Sequence, residues 1–193
     1  MNVRNIELRF FSFFVLIGVI FGNADSLRAG NKAFEHQDVG HPSFMSPHAN
    51  PIAFIDGLVY VVNTPADTVD IIDSGTKKII CRIPVGIDPV SLAIRPDGKE
   101  LWVSNHISDS VSVIDLVSSN ATFRHVTATI QDIDQRTKAT RFDEPVGIAF
   151  AGNEKAYIAL SSENQIAVVD VHNKNILKKL YIPAQDPRAL VVR

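Results

Sequence analysis

The chain has 193 residues, 46% of them hydrophobic, and a formal net charge of −2. It is long enough to bury a sizeable core and lacks the basic excess that nucleic-acid binding favours. Its single cysteine, Cys81, excludes an intrachain disulfide, a thiolate zinc cluster and a CxxCH haem-attachment motif within these residues. Cys81 lies in the apolar run Ile79-Ile80-Cys81-Arg82-Ile83 and reads as a small hydrophobe.

The amino terminus reads as a targeting segment. Arg4 and Arg9 precede an almost wholly apolar stretch from Phe10 to Phe21, followed by the small residues of Gly22-Asn23-Ala24. This predicts a secretory signal peptide over 1–24. As a helix, Phe10 to Phe21 would rise only about 18 Å, too short for a hydrocarbon core of about 30 Å. The mature chain is therefore expected to have no transmembrane segment and to be exported to the periplasm, the cell surface or the medium. Residues 25–50 form a polar lead-in without a sustained period. It holds His36, His41 and His48. Imidazoles ligate zinc, copper or iron, which makes these three metal candidates, but loop spacing alone defines no tetrahedral site. A polar lead-in is the simpler reading.

From Pro51 onward the chain repeats itself. Each repeat opens on an acidic residue or Asn before Pro: Asn50, Asp88, Glu144 and Asp186. An apolar first strand follows: Ile52-Ala53-Phe54, Val90 to Ile94, Val146 to Phe150, and Arg188 to Val192. A turn comes next, clearest as Arg95-Pro96-Asp97-Gly98-Lys99. Second strands carry an aromatic each: Tyr60, Trp102 and Tyr157. Third strands share the pattern Asp/Asn, polar, Val/Ile, any residue, Val/Ile, Val/Ile, Asp, over 67–73, 109–115 and 164–170. Fourth strands span 78–83, 123–130 and 176–182.

Four short strands per period of roughly forty residues make one blade of a β-propeller. The predicted fold is all-β: a partial propeller of four-stranded antiparallel blades over 51–193. The blades cover 51–87, 88–144 with an insertion at 131–143, and 145–185, with the first strand of a fourth at 186–193. Small residues at equivalent first-strand positions, Ser91, Gly147 and Ala189, fit crowding at a central axis. A ring needs about four to eight blades. The remainder of the propeller is therefore expected beyond Arg193.

The second strands Tyr60-Val61-Val62-Asn63 and Trp102-Val103-Ser104-Asn105 resemble the signature of YVTN-type β-propeller repeats. Pro-Asp-Gly before the aromatic strand and Val-x-Val-Ile-Asp after it strengthen the likeness. Tyr157-Ile158-Ala159-Leu160 departs from it by losing the Asn. The resemblance implies the fold and an exported or surface-layer setting, or an extracytoplasmic oxidoreductase. It implies no catalytic residue on this chain.

Up-and-down blades put the links from strand two to three and from strand four to the next blade on one face, here named the top. It carries Asn63, Asn105, His106 and the charged insertion, with Asp88, Glu144 and Asp186 at the channel mouth. An acidic ring there would focus negative potential and attract a cation or a basic partner group. Equally, Asp or Asn before Pro satisfies turn backbone groups. The aromatics read as packing between blades, and Asp73, Asp115 and Asp170 as turn formers. No phosphate loop, G-x-S-x-G elbow or H-E-x-x-H motif occurs. Asn120-Ala121-Thr122 is an acceptor sequon only in a glycosylating host.

The expected role is a non-catalytic scaffold that binds a protein or cell-surface partner through the top face, with no cofactor in this segment. The alternative is the propeller of an extracytoplasmic oxidoreductase whose haem or other redox domain lies beyond residue 193.

Overall fold

The computed structural model describes Ser46 and residues 48–193. The expected signal peptide over 1–24 and His36 and His41 lie outside the described residues. Twelve strands form three four-stranded antiparallel sheets in chain order. The first sheet holds β1 (Ile52–Ile55), β2 (Leu58–Asn63), β3 (Thr68–Asp73) and β4 (Lys78–Pro84). The second holds β5 (Pro89–Ile94), β6 (Glu100–Asn105), β7 (Ser110–Asp115) and β8 (Val126–Ile130). The third holds β9 (Pro145–Ala151), β10 (Lys155–Leu160), β11 (Gln165–Asp170) and β12 (Ile176–Tyr181). A short 3₁₀ turn, Thr64–Ala66, links β2 to β3.

The copies agree in register as well as order. Leu58, Glu100 and Lys155 pair with the closing aspartates Asp73, Asp115 and Asp170. The ladder between third and fourth strands slips at the same place each time, at Ile71/Ile72, Val113/Ile114 and Val168/Val169. The turns agree too. Asp67, Asp109 and Asn164 all take left-handed backbone before the third strand, with φ of 55°, 48° and 54°. Asp and Asn tolerate that region better than most residues.

Alternation along the strands gives each sheet two apolar faces. One face of blade one (Tyr60, Val62, Val69, Ile71, Ile83) packs on one face of blade two (Leu92, Leu101, Val103, Ile114). The other face of blade two (Trp102, Val111, Val113, Ile130) packs on blade three (Ile148, Ala156, Ile158, Leu160, Val169). Each interface is thus shared between consecutive blades. The expected aromatic packing holds for Tyr60 and Trp102, both buried. Trp102 meets Phe150 edge-on, with centroids 5.1 Å apart. Tyr157 is only half-buried and lines an apolar cavity of about 340 Å³ with Leu190, Val191 and Val192.

The flank of blade one that no sheet covers among the described residues exposes Ile52 and Phe54, the latter at 65%. The counterpart of Ile52 in register on blade two, Leu92, is 2% exposed.

First strands do crowd one another. Ser91 Oγ accepts the Asn50 N–H at 3.3 Å. A Cβ on Gly147 would sit 2.1 Å from the carbonyl oxygen of Arg188, so only glycine allows that approach. Residues 187–193 lie beside β9 in this way but carry no strand. A first strand ladders only with its own second strand, and none is present for it among the described residues.

The insertion is more than a surface excursion. It closes on itself by an Ile133–Thr140 bridge. Asp134 accepts the N–H groups of Arg136 and Thr137 at 2.9 and 2.8 Å. Phe142 is wholly buried in the core between blades two and three.

Candidate functional site

The top face is built by backbone hooks that pass from blade to blade. The left-handed residue heading each third strand accepts the N–H of the residue that opens the next blade. Asp67 Oδ1 takes Asp88 N–H at 2.8 Å, Asp109 Oδ1 takes Glu144 N–H at 3.0 Å, and Asn164 Oδ1 takes Asp186 N–H at 2.9 Å. Asp88, Glu144 and Asp186 are themselves left-handed, with φ of 60°, 50° and 53°. Their carbonyls serve the same purpose: Asp88 O accepts His106 N–H at 2.8 Å and Glu144 O accepts Ser161 N–H at 3.1 Å. The turn role expected at these positions is therefore carried by the backbone, and their carboxylates are left for other contacts.

Those carboxylates differ. Glu144 Oε2 accepts a hydrogen bond from Ser161 at 3.1 Å and lies 3.9 Å from His106 Nε2. Asp186 pairs with Arg188, Nε to Oδ2 at 2.8 Å, which holds its carboxyl below the usual range. His106 acts on Asp186 in the same direction. Asp88 is wholly buried, and neither of its carboxylate oxygens has a hydrogen-bond partner. His106 is also buried, with Nδ1 unpartnered. The structure thus brings Asp88 and Glu144 against His106, with Asp186 within electrostatic reach.

Asn63 and Asn105 serve the loops. Asn63 Nδ2 donates to Asp70 at 3.4 Å. Asn105, fully buried, donates to Ser110 and Ser112 at 3.1 and 3.0 Å. The link into blade two passes so close that a Cβ on Gly86 would meet Asn105 Nδ2 at 2.6 Å. His48 Nε2 bonds Thr64 Oγ1 at 2.9 Å, and Thr64 Oγ1 donates to Pro89 O at 2.7 Å. Among the described residues no group of three or more His, Cys, Asp or Glu is arranged to hold a metal ion. No helix there is long and apolar enough to cross a membrane.

The closing aspartates are turn formers. Asp73 Oδ1 accepts Thr76 N–H at 2.6 Å, and Asp170 Oδ1 accepts the N–H groups of His172 and Asn173 at 2.8 and 2.9 Å. These bonds favour the ionised form and hold both carboxyls low. Burial works to raise Asp115, but hydrogen bonds from Thr122, Val117 and Asn120 outweigh it. At the opposite end of the blade from the top face, the Arg95 guanidinium holds Asp97 at about 2.

A carboxyl lowered in this way stabilises the fold above its unfolded pKa near 3.8, and the contribution is lost as pH falls through the folded value. Asp109 and Glu163, both raised by burial, act in the opposite sense and lose an unfavourable charge on acidification. The expected result is a urea midpoint that drops between about pH 4 and pH 2. In Asp97→Asn the drop should be shallower. An identical pH profile for that variant would refute the assignment.

No family model and no curated protein matches the chain. Solved structures do. A chain of the Kuenenia stuttgartiensis hydrazine synthase aligns with a TM-score of 0.61 and 27% identity, covering 77% of this chain and 40% of that one. The β-propeller domain of Myceliophteria thermophila Cps50 (Swd1) aligns with a TM-score of 0.57 at 16% identity, over 70% of this chain and 43% of that one. The WD40 repeats of RRP9 align with a TM-score of 0.58 at 16% identity, over 76% and 43%. The chain therefore spans less than half the length of each of these structures. Sheet order, blade-to-blade packing and these likenesses agree that the described residues are consecutive blades of a β-propeller.

Proposed function

We propose that the chain is a sector of an exported, YVTN-type propeller that binds a protein partner through the top face around His106, without doing chemistry itself. One observation carries this reading. Glu144 and Asp186 open successive blades on the same face as His106, and their side chains are 47% and 45% exposed. Exposed like charges grouped on one face attract a basic partner group. Elsewhere the repeated polar residues are absorbed by turns and hooks. Calorimetric titration of the 193-residue chain with a tri-arginine peptide tests the reading. Glu144→Gln with Asp186→Asn is expected to weaken binding about tenfold, as loss of charge-assisted hydrogen bonds does. Unchanged affinity would refute it.

A second reading is favoured by the 27% identity to a chain of a hydrazine synthase. Here the propeller belongs to an extracytoplasmic redox enzyme and shapes access to a haem domain beyond residue 193. A haem-stained gel of the natural protein separates the two. A haem-bearing band well above 21.2 kDa supports the redox reading, and its absence supports the scaffold.

A further inference from the structure

The last turn of each blade carries a cationic residue with left-handed backbone: Lys77, Arg124 and Lys174. The three are equivalent, because each donates its N–H to the carbonyl of the aspartate closing the third strand. The distances are 2.8 Å to Asp73, 2.8 Å to Asp115 and 2.9 Å to Asp170. At the junction of blades two and three, Lys174 reaches back to the preceding blade. Its Nζ lies 5.2 Å from the Trp102 ring centroid and 2.7 and 2.8 Å from the two Glu100 oxygens. Trp102 Nε1 donates to the same carboxylate at 2.8 Å. Ring, cation and anion are all satisfied.

The junction of blades one and two has a cation and an aromatic at the same repeat positions but no anion in register. Arg124 stands in the place of Lys174, and Tyr60 in the place of Trp102. Burial raises the Tyr60 hydroxyl, and the Arg124 charge, within electrostatic reach of it, opposes the rise. The residue in register with Glu100 is Leu58. Asp56 also acts on Tyr60, yet Arg124 forms no ion pair among the described residues. Its Nε is buried without an acceptor, and its guanidinium carbon lies 4.7 Å from the Phe123 centroid.

Arg124 lines a groove of about 500 Å³ between β4 and the turn that enters β8, with Arg82, Ile83, Phe123, His125 and Val126 along its walls. No acidic residue lines it. Arg82 is engaged with Asp70 at 3.4 Å. Both β4 and β8 are outer strands of their sheets and leave one edge of backbone donors and acceptors unpaired. Cationic side chains, apolar walls and strand edges together suit an extended peptide with an acidic residue between aliphatic ones.

We propose that this groove docks such an acidic peptide segment of a partner protein. Its carboxylate pairs with the Arg124 guanidinium, as Glu100 pairs with Lys174 at the next junction.

The test is fluorescence polarisation of the 193-residue chain with a labelled nonapeptide centred on Leu-Glu-Leu, against its Leu-Gln-Leu counterpart. The Glu peptide is expected to bind at least about tenfold tighter, the usual scale for a hydrogen bond to a charged group. Arg124→Gln should erase that difference. Leu58→Glu supplies the missing anion from within, and should weaken the Glu peptide by a similar factor while raising the melting temperature. Leu58→Gln should do neither. If Leu58→Glu fails to fold, the peptide pair and Arg124→Gln still decide. Equal binding of the two peptides within twofold, or displacement of the Glu peptide by inorganic phosphate alone, overturns the proposal. So does no binding at about 1 mM, the limit of a weak specific site.

Discussion

Trp102→Ala is expected to cost about 3–5 kcal/mol in urea unfolding, a large share of the stability of a domain this size. The side chain is wholly buried between blades two and three. Three separate interactions end on it. Phe150 meets it edge-on, Lys174 lies over its face, and Glu100 accepts its N–H. Truncation leaves a cavity that two hydrogen-bonded sheets cannot collapse around. It also removes the donor that helps hold Glu100, while Glu100 and Lys174 stay partly buried. Trp102→Phe keeps an aromatic ring and most of the volume while losing the N–H and part of the bicycle, so its loss should be clearly smaller. A loss below about 1 kcal/mol for Trp102→Ala would mean that this interface does not hold the blades together.

Phe142→Ala is expected to cost a similar amount, about 3–5 kcal/mol, and to change where the chain is cut. Phe142 is the one large apolar side chain that the insertion sends into the core. The rest of the loop is held by polar contacts: Arg141 with Asp134, and Lys179 with Asp132 at 2.9 Å. Exposed ion pairs contribute little by themselves, so the ring is the anchor. Limited trypsin digestion should find Arg136, Lys138 and Arg141 newly open in the variant under native conditions. A cleavage pattern matching the parent chain would show that the polar contacts suffice.

The array was legible because its signals are local and repeated. Strand alternation, the aromatic at a constant offset and the closing aspartate recur three times, and periodic copies reinforce one another. Asp67, Asp109 and Asn164 looked like the first residues of strands. They are left-handed turn residues whose side chains hold the next blade, and the restriction of that position to Asp or Asn was the available sign. Exposure could not be read in the same way. Phe54 and Leu92 are both apolar residues on first strands, yet one is open and the other buried. The difference lies in whether another sheet covers the flank, which is a property of neighbours and not of the strand. The same holds at the top face. Asp88 and Glu144 occupy one repeat position, but blade one closes over Asp88 through the bond from Thr64 to Pro89. The contrast between Lys174, paired with Glu100, and Arg124, for which the residue in register with Glu100 is Leu58, depends on partners far apart in the chain. Only the packed blades align them.

Each hydrophobic seam belongs half to one blade and half to the next, and each hook crosses the same boundary. Cohesion in such a stack is a nearest-neighbour quantity, so a lone wedge has almost nothing to fold around. Of these three wedges the middle one, clasped on both sides, is the last to lose order.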